Sequence, residues 1–129
     1  MKHYSEKKIL IVDDEPSVRS MIKRLLSKEN YIVLEANDGE EAVNATRIWM
    51  PDLVLMDILM PKMDGLTACY TIKTDRDTNA IPVVMLTAVD YELNKKLSQD
   101  VMAADGYITK PFTRHDLMAI IGQFLTSSK

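Results

Sequence analysis

The sequence predicts an α/β fold, a doubly wound (βα)5 sandwich with helices on both faces of a five-stranded parallel sheet. Three observations carry it. Short aliphatic runs alternate with segments of helical periodicity, every run-to-run connection is of crossover length, and reactive side chains stand at the carboxyl ends of the runs. Lys8-Ile9-Leu10-Ile11-Val12 ends at Asp13 and Asp14, Leu53-Val54-Leu55-Met56 at Asp57, and Val83-Val84-Met85-Leu86 at Thr87. The short Gly106-Tyr107-Ile108-Thr109 leads into Lys110-Pro111. Runs this aliphatic read as buried strands, and parallel strands put their carboxyl ends on one edge. That edge would gather three carboxylates, a hydroxyl and an ammonium.

Each element has its own signal. Pro16 suits a first helical turn, and Val18, Ile22, Leu25 and Leu26 recur at helical spacing, so a first helix is expected to run to about Glu29-Asn30. Tyr31 to Ala36 reads as the second strand. Asn37-Asp38-Gly39 turns the chain into a second helix ending near Trp49, and Asp38 with Glu41 resembles a capping box. Met50-Pro51-Asp52 stops that helix ahead of the third strand. A loop from Ile58 to Asp64, punctuated by Pro61 and Gly65, opens a third helix through about Thr74. The fourth strand follows Pro82. Leu93, Leu97 and Val101 mark a fourth helical segment. A fifth begins at Thr113-x-x-Asp116 and is expected to bury Leu117, Ile120, Ile121 and Phe124.

With 129 residues the chain fits a single domain, 1–129, long enough to bury a core without staples. It is 47% apolar and 27% charged with a net charge of -3, which opposes generic nucleic-acid binding. The lone Cys69 excludes an internal disulfide, and His3 and His115 have no metal-ligand spacing. No apolar run approaches a membrane span and MKHYSEKK lacks a signal peptide's apolar stretch, so a cytoplasmic protein with no membrane insertion is expected. Only Thr126 to Lys129 reads as a tail. The nine methionines, Met56 and Met85 among them, read as core filling, Trp49 as packing at a helix end, and Lys95-Lys96 as a solvated face.

Aspartates that follow strands are ordinarily helix caps, and Asp38, Asp64 and Asp116 read that way. Capping accounts for at most one or two of Asp13, Asp14 and Asp57. Clustered carboxylates repel unless protonated or bridged by a cation, and oxygen-only ligands suit Mg2+, which keeps open positions for water or phosphate oxygens. Lys110 as a point charge and Thr87 as a hydroxyl donor suit a phosphoryl group. The four glycines, at 39, 65, 106 and 122, allow neither a Walker loop nor a dinucleotide fingerprint, so a bound nucleotide donor is not expected. A carboxylate can itself become an aspartyl-phosphate, and Asp57, alone at the end of the presumed central strand, is the best candidate nucleophile.

Four motifs, Ile9 to Pro16, Leu55 to Gly65, Leu86-Thr87-Ala88 and Tyr107 to Phe112, occur in order at four strand ends. Over residues 7–125, the expected core, the chain resembles the response-regulator receiver domains of two-component signalling, the CheY-like family. The resemblance supplies a flavodoxin-like strand order, 2-1-3-4-5, which the residues alone do not give. It implies that Asp57 accepts the phosphoryl group and that Asp13, Asp14, Asp57 and the carbonyl of Leu59 hold Mg2+. Thr87 and Lys110 would contact the phosphoryl group, Thr87 and Tyr107 would form the switch, and the Lys110-Pro111 bond would be cis. The donor would be a phosphohistidine on a histidine kinase or histidine phosphotransfer protein, docking near helix 1 and the loops beside Asp57.

Phosphorylation adds roughly -1.5 to -2 charges at one edge, and a two-state element must read it. The resemblance assigns that to Thr87 moving toward the phosphoryl oxygens and Tyr107 turning inward into the space vacated, which would change the surface of helix 4, strand 5 and helix 5 toward a downstream protein target. The protein would be a monomer or a phosphorylation-dependent dimer. No nucleic-acid-binding motif follows, so an effect on transcription would be indirect. Leu59 and Val89, apolar at positions that influence phosphoryl lifetime in the family, cannot orient an attacking water. The chief alternative is a phosphatase of the haloacid dehalogenase type, which needs an aspartate two residues after the nucleophile, where Leu59 stands. Others are an interaction module without the chemistry, and the receiver part of a larger regulator or hybrid kinase.

Overall fold

The computed structural model describes residues 6–88 and 104–125. Five parallel strands, β1 (Lys8–Val12), β2 (Ile32–Ala36), β3 (Leu53–Asp57), β4 (Val83–Ala88) and β5 (Gly106–Lys110), form one sheet in the order β2-β1-β3-β4-β5. Helices α1 (Pro16–Leu25), α2 (Gly39–Trp49), α3 (Gly65–Thr74) and α4 (Arg114–Phe124) accompany them. The last corresponds to the fifth predicted helix; the segment around Leu93, Leu97 and Val101, with Val89, Lys95-Lys96, Met102 and the tail, lies outside the described residues.

Alternation along the strands divides the core in two. Leu10, Val12, Val54, Met56, Val83 and Met85 pack with Ala42 and Val43 of α2 and with Ala68, Cys69 and Ile72 of α3. Ile9, Ile11, Leu53, Leu55, Val84 and Leu86 face the other way, onto Ile22 of α1 and Leu117 and Ile121 of α4. Burial on both faces explains why β1, β3 and β4 are continuous apolar runs, whereas the edge strand β2 leaves Ile32 and Glu35 exposed. Cys69 is buried among these side chains, and burial pushes its thiol up to about 12. Among the described residues no helix is long and apolar enough to cross a membrane.

Several local expectations need correction. Helix α1 stops at Leu25, short of Glu29: Ser27 N–H reaches Arg24 O (3.2 Å) and Glu29 N–H reaches Leu26 O (3.0 Å), so three-residue turns replace the α-helical ladder. The Asp38 cap is real, with Glu41 N–H donating to its side chain at 2.8 Å, but Glu41 returns its bond to Asn37 N–H rather than to Asp38, so the box is not reciprocal. In α4 the reciprocal box is present, Thr113 and Asp116 each accepting from the other's backbone N–H at 3.0 Å. Ile120 and Phe124 are only partly buried. Trp49 is 52% exposed. Its carbonyl accepts from the Lys8 ammonium at 2.7 Å and Met50 takes the left-handed conformation, so the backbone turns to the sheet while the indole stays outside.

Candidate functional site

The strand register assembles the site. Val12 lies level with Met56 and Asp57 with Leu86, so the residues following β1 and ending β3 and β4 share one edge. Thr87 lies level with Thr109, and Ala88 with Lys110. Asp13, Asp14 and Asp57 each bring a carboxylate oxygen within 4.8 Å of the others. Lys110 Nζ lies 3.3 Å from Asp13 Oδ2 and 3.3 Å from Asp57 Oδ1. Asp13 is fully buried, Asp57 partly and Asp14 exposed, so the cluster opens from the core to solvent through Asp14.

Electrostatics follow from this packing. Burial raises the Asp57 carboxyl above its ordinary range, and Asp13 adds to the rise while Lys110 opposes it. For Lys110 burial acts downward, but Asp57 and Asp13 outweigh it, and the ammonium is held above its usual value. Three carboxylates and one ammonium leave a formal excess of two negative charges, with oxygen donors throughout. That donor set fits a hard divalent cation of the magnesium type. The Thr87 hydroxyl is buried at the same edge and has no hydrogen-bond partner among the described residues.

Tyr107 lies level with Met85, and Thr87 is two positions further along β4. Met85 and Tyr107 pack on the same core cluster, so alternation puts Thr87 and Tyr107 on one face as diagonal neighbours. The Lys110-Pro111 bond is cis, as the resemblance implied. Leu59 is 69% exposed, and its side chain stands outside the core. Its loop is strapped at both ends: Gly65 N–H donates to Ile58 O at 2.7 Å, and Gly39 N–H from α2 donates to Met63 O at 2.9 Å. At Gly65 a Cβ would run into the backbone oxygen of Asp57, and at Gly39 into that of Met63, so both glycines are required by close approach.

A family model for the response regulator receiver domain matches residues 9–122. The chain belongs to that family. Among its relatives, this receiver domain is 42% identical over 117 residues to a probable transcriptional regulator, ycf27, of Guillardia theta, covering 91% of the chain and 44% of the relative. It is 37% identical over 123 residues to the alkaline phosphatase synthesis transcriptional regulatory protein PhoP of Bacillus subtilis, covering 95% and 50%. It thus spans about half the length of the curated relatives it matches. Among solved structures, the receiver domain of the sensor histidine kinase PA1611 from Pseudomonas aeruginosa, with a magnesium ion coordinated in its active site cleft, superposes with a TM-score of 0.86 at 28% identity, over 95% of this chain and 100% of that one.

Beside the acidic cluster, the receiver domain holds contacts that the sequence did not announce. Arg19 of α1 donates through Nη1 to the backbone oxygen of Asp13 at 2.7 Å and through Nε to Glu35 at 2.8 Å. With β2 paired beside β1, Arg19 meets Glu35 and the Asp13 oxygen at once.

Proposed function

We propose that this receiver domain is a phosphoryl-accepting switch in which Asp57 receives a phosphoryl group from a phosphohistidine on a histidine kinase or phosphotransfer protein. The convergence of Asp13, Asp14 and Asp57 with Lys110 at the carboxyl edge of the sheet carries the reading. An Asp57 carboxylate oxygen forms the new bond to phosphorus as the donor's P–N bond breaks, and the departing imidazole keeps the electron pair and takes a proton. Lys110 then shifts from carboxylate to phosphoryl oxygen, and the Thr87 hydroxyl donates to another. Magnesium held by Asp13, Asp14 and Asp57, with the Leu59 carbonyl as a further ligand, would supply positive charge against the transferring oxygens.

Movement of Thr87 toward the phosphoryl group would open space on the face it shares with Tyr107, and the ring would turn into it. Between β5 and α4 a groove of about 610 Å³, lined by Tyr107, Lys110, Pro111, His115, Ile120 and Gln123, borders that ring. A downstream protein would read the change there. Both relatives carry transcriptional-regulator names and are about twice as long as this chain. The role proposed for this chain is confined to phosphoryl acceptance and the face that reports it, in a cytoplasmic setting where kinase and target meet.

Intact mass after incubation with acetyl phosphate tests the reading, with and without magnesium and with Asp57→Ala in parallel. A single adduct on the parent, absent from D57A and from the metal-free sample, is expected. An adduct that survives in D57A would refute it.

A further inference from the structure

Every polar group of Asp13 is engaged. Its N–H donates to Ala36 O (3.2 Å), its Oδ1 accepts from Glu15 N–H (2.9 Å), its Oδ2 from Lys110 (3.3 Å) and its carbonyl from Arg19 (2.7 Å). Asp14 differs: it is exposed, and its carboxylate makes no hydrogen bond among the described residues. The orientation of Asp14 therefore depends on the backbone that precedes it. The peptide unit from Cα of Asp13 to Cα of Asp14 is planar, so a bond to its oxygen restrains the plane from which Asp14 leaves.

That oxygen is the one Arg19 holds. We propose that Arg19, itself oriented by Glu35, is a positioning residue that aims the Asp14 carboxylate into the magnesium site; the inference rests on the function proposed above. The guanidinium suits the task because two of its nitrogens act at once, Nη1 on the Asp13 oxygen and Nε on Glu35 Oε1. The Arg19 side chain is only 13% exposed, so water competes little for these bonds. Glu35 also takes Lys23 at 2.9 Å, which ties the β2 edge to α1 around the same arginine. A lysine at position 19 would offer its donors from a single nitrogen, without the rigid planar fork that spans the Asp13 oxygen and Glu35 Oε1 at once.

Magnesium titration by calorimetry, paired with urea denaturation in metal-free buffer, tests the assignment on the parent, R19Q, R19K and R114Q. Arg114 bonds Leu25 O (3.2 Å) and Glu29 (2.9 Å) at the far end of α1, so R114Q reports a loss of helix anchoring away from the site. R19Q and R19K are each expected to bind magnesium about tenfold or more weakly than the parent, the usual consequence of losing a residue that orients a ligand, while R114Q binds like the parent. Should R19Q not fold, R19K decides alone. A change smaller than roughly threefold in the folded Arg19 variants, beside a parent that binds magnesium, overturns the positioning role alone. A parent that binds no magnesium overturns the metal site and the positioning role together.

Discussion

Lys110 stands 3.3 Å from Asp57 across 53 positions of sequence, and β4 lies between the strands that carry them. The lysine reaches over the end of β4 because it is the last residue of β5, level with Ala88, while Asp57 ends β3 level with Leu86. One ammonium thereby serves two carboxylates from different strands.

Lys110→Ala should destabilise the metal-free protein by about 1–3 kcal/mol, because Asp13 and Asp57 are left facing each other without their cation. Urea denaturation with and without magnesium checks this. Magnesium should stabilise K110A more than the parent, while phosphoryl uptake falls.

Asp57→Asn should act in the opposite sense. Burial first, then the charge of Asp13, raise the Asp57 carboxyl, so the folded state disfavours its ionised form despite Lys110. The favoured neutral form is retained below the unfolded pKa and lost as pH rises through the folded one, so at neutral pH the charge is a cost. In metal-free buffer at neutral pH D57N should have a higher urea midpoint than the parent, and the difference should vanish in acid.

The acidic cluster was legible because its members end apolar runs: Asp13, Asp14, Asp57, Thr87 and Lys110 follow the sequence pattern of a parallel sheet edge, and the structure brings them there. Strand order was not legible from the residues, because nothing in Leu53–Asp57 says that it pairs with β1 rather than β2; the resemblance supplied it. The end of α1 was misplaced because Leu25 and Leu26 continue the apolar spacing while the backbone already tightens after Leu25. Arg19 escaped because its partners, a backbone oxygen and a residue on another strand, leave no mark at fixed spacing.

Gly65→Ala should cost about 1–3 kcal/mol, since its Cβ meets backbone that cannot swing aside, at the end of β3 and at Ile58 Cα (2.9 Å). As the loop that carries Leu59 must also shift, magnesium affinity should fall with stability. Thermal unfolding and magnesium titration of G65A read both.

Glu35 gives a pH-dependent test. Hydrogen bonds from Lys23 and then Arg19 hold its carboxyl below the usual range. Its contribution is therefore present above the unfolded value of about 4.3 and is lost as pH falls through the folded one. Partial exposure keeps it below about 1 kcal/mol. E35Q should be less stable than the parent at neutral pH, and urea midpoints of the two should converge in acid.

Asp57 is the proposed acceptor of the phosphoryl group. Borohydride reduction of the acetyl phosphate-treated protein, followed by peptide mass mapping, tests it directly because an acyl phosphate is reduced to an alcohol where it stands. Conversion of residue 57 alone to homoserine, dependent on magnesium, is the expected result. Reduction at Asp13 or Asp14, or a phosphoryl adduct that resists borohydride, would contradict it.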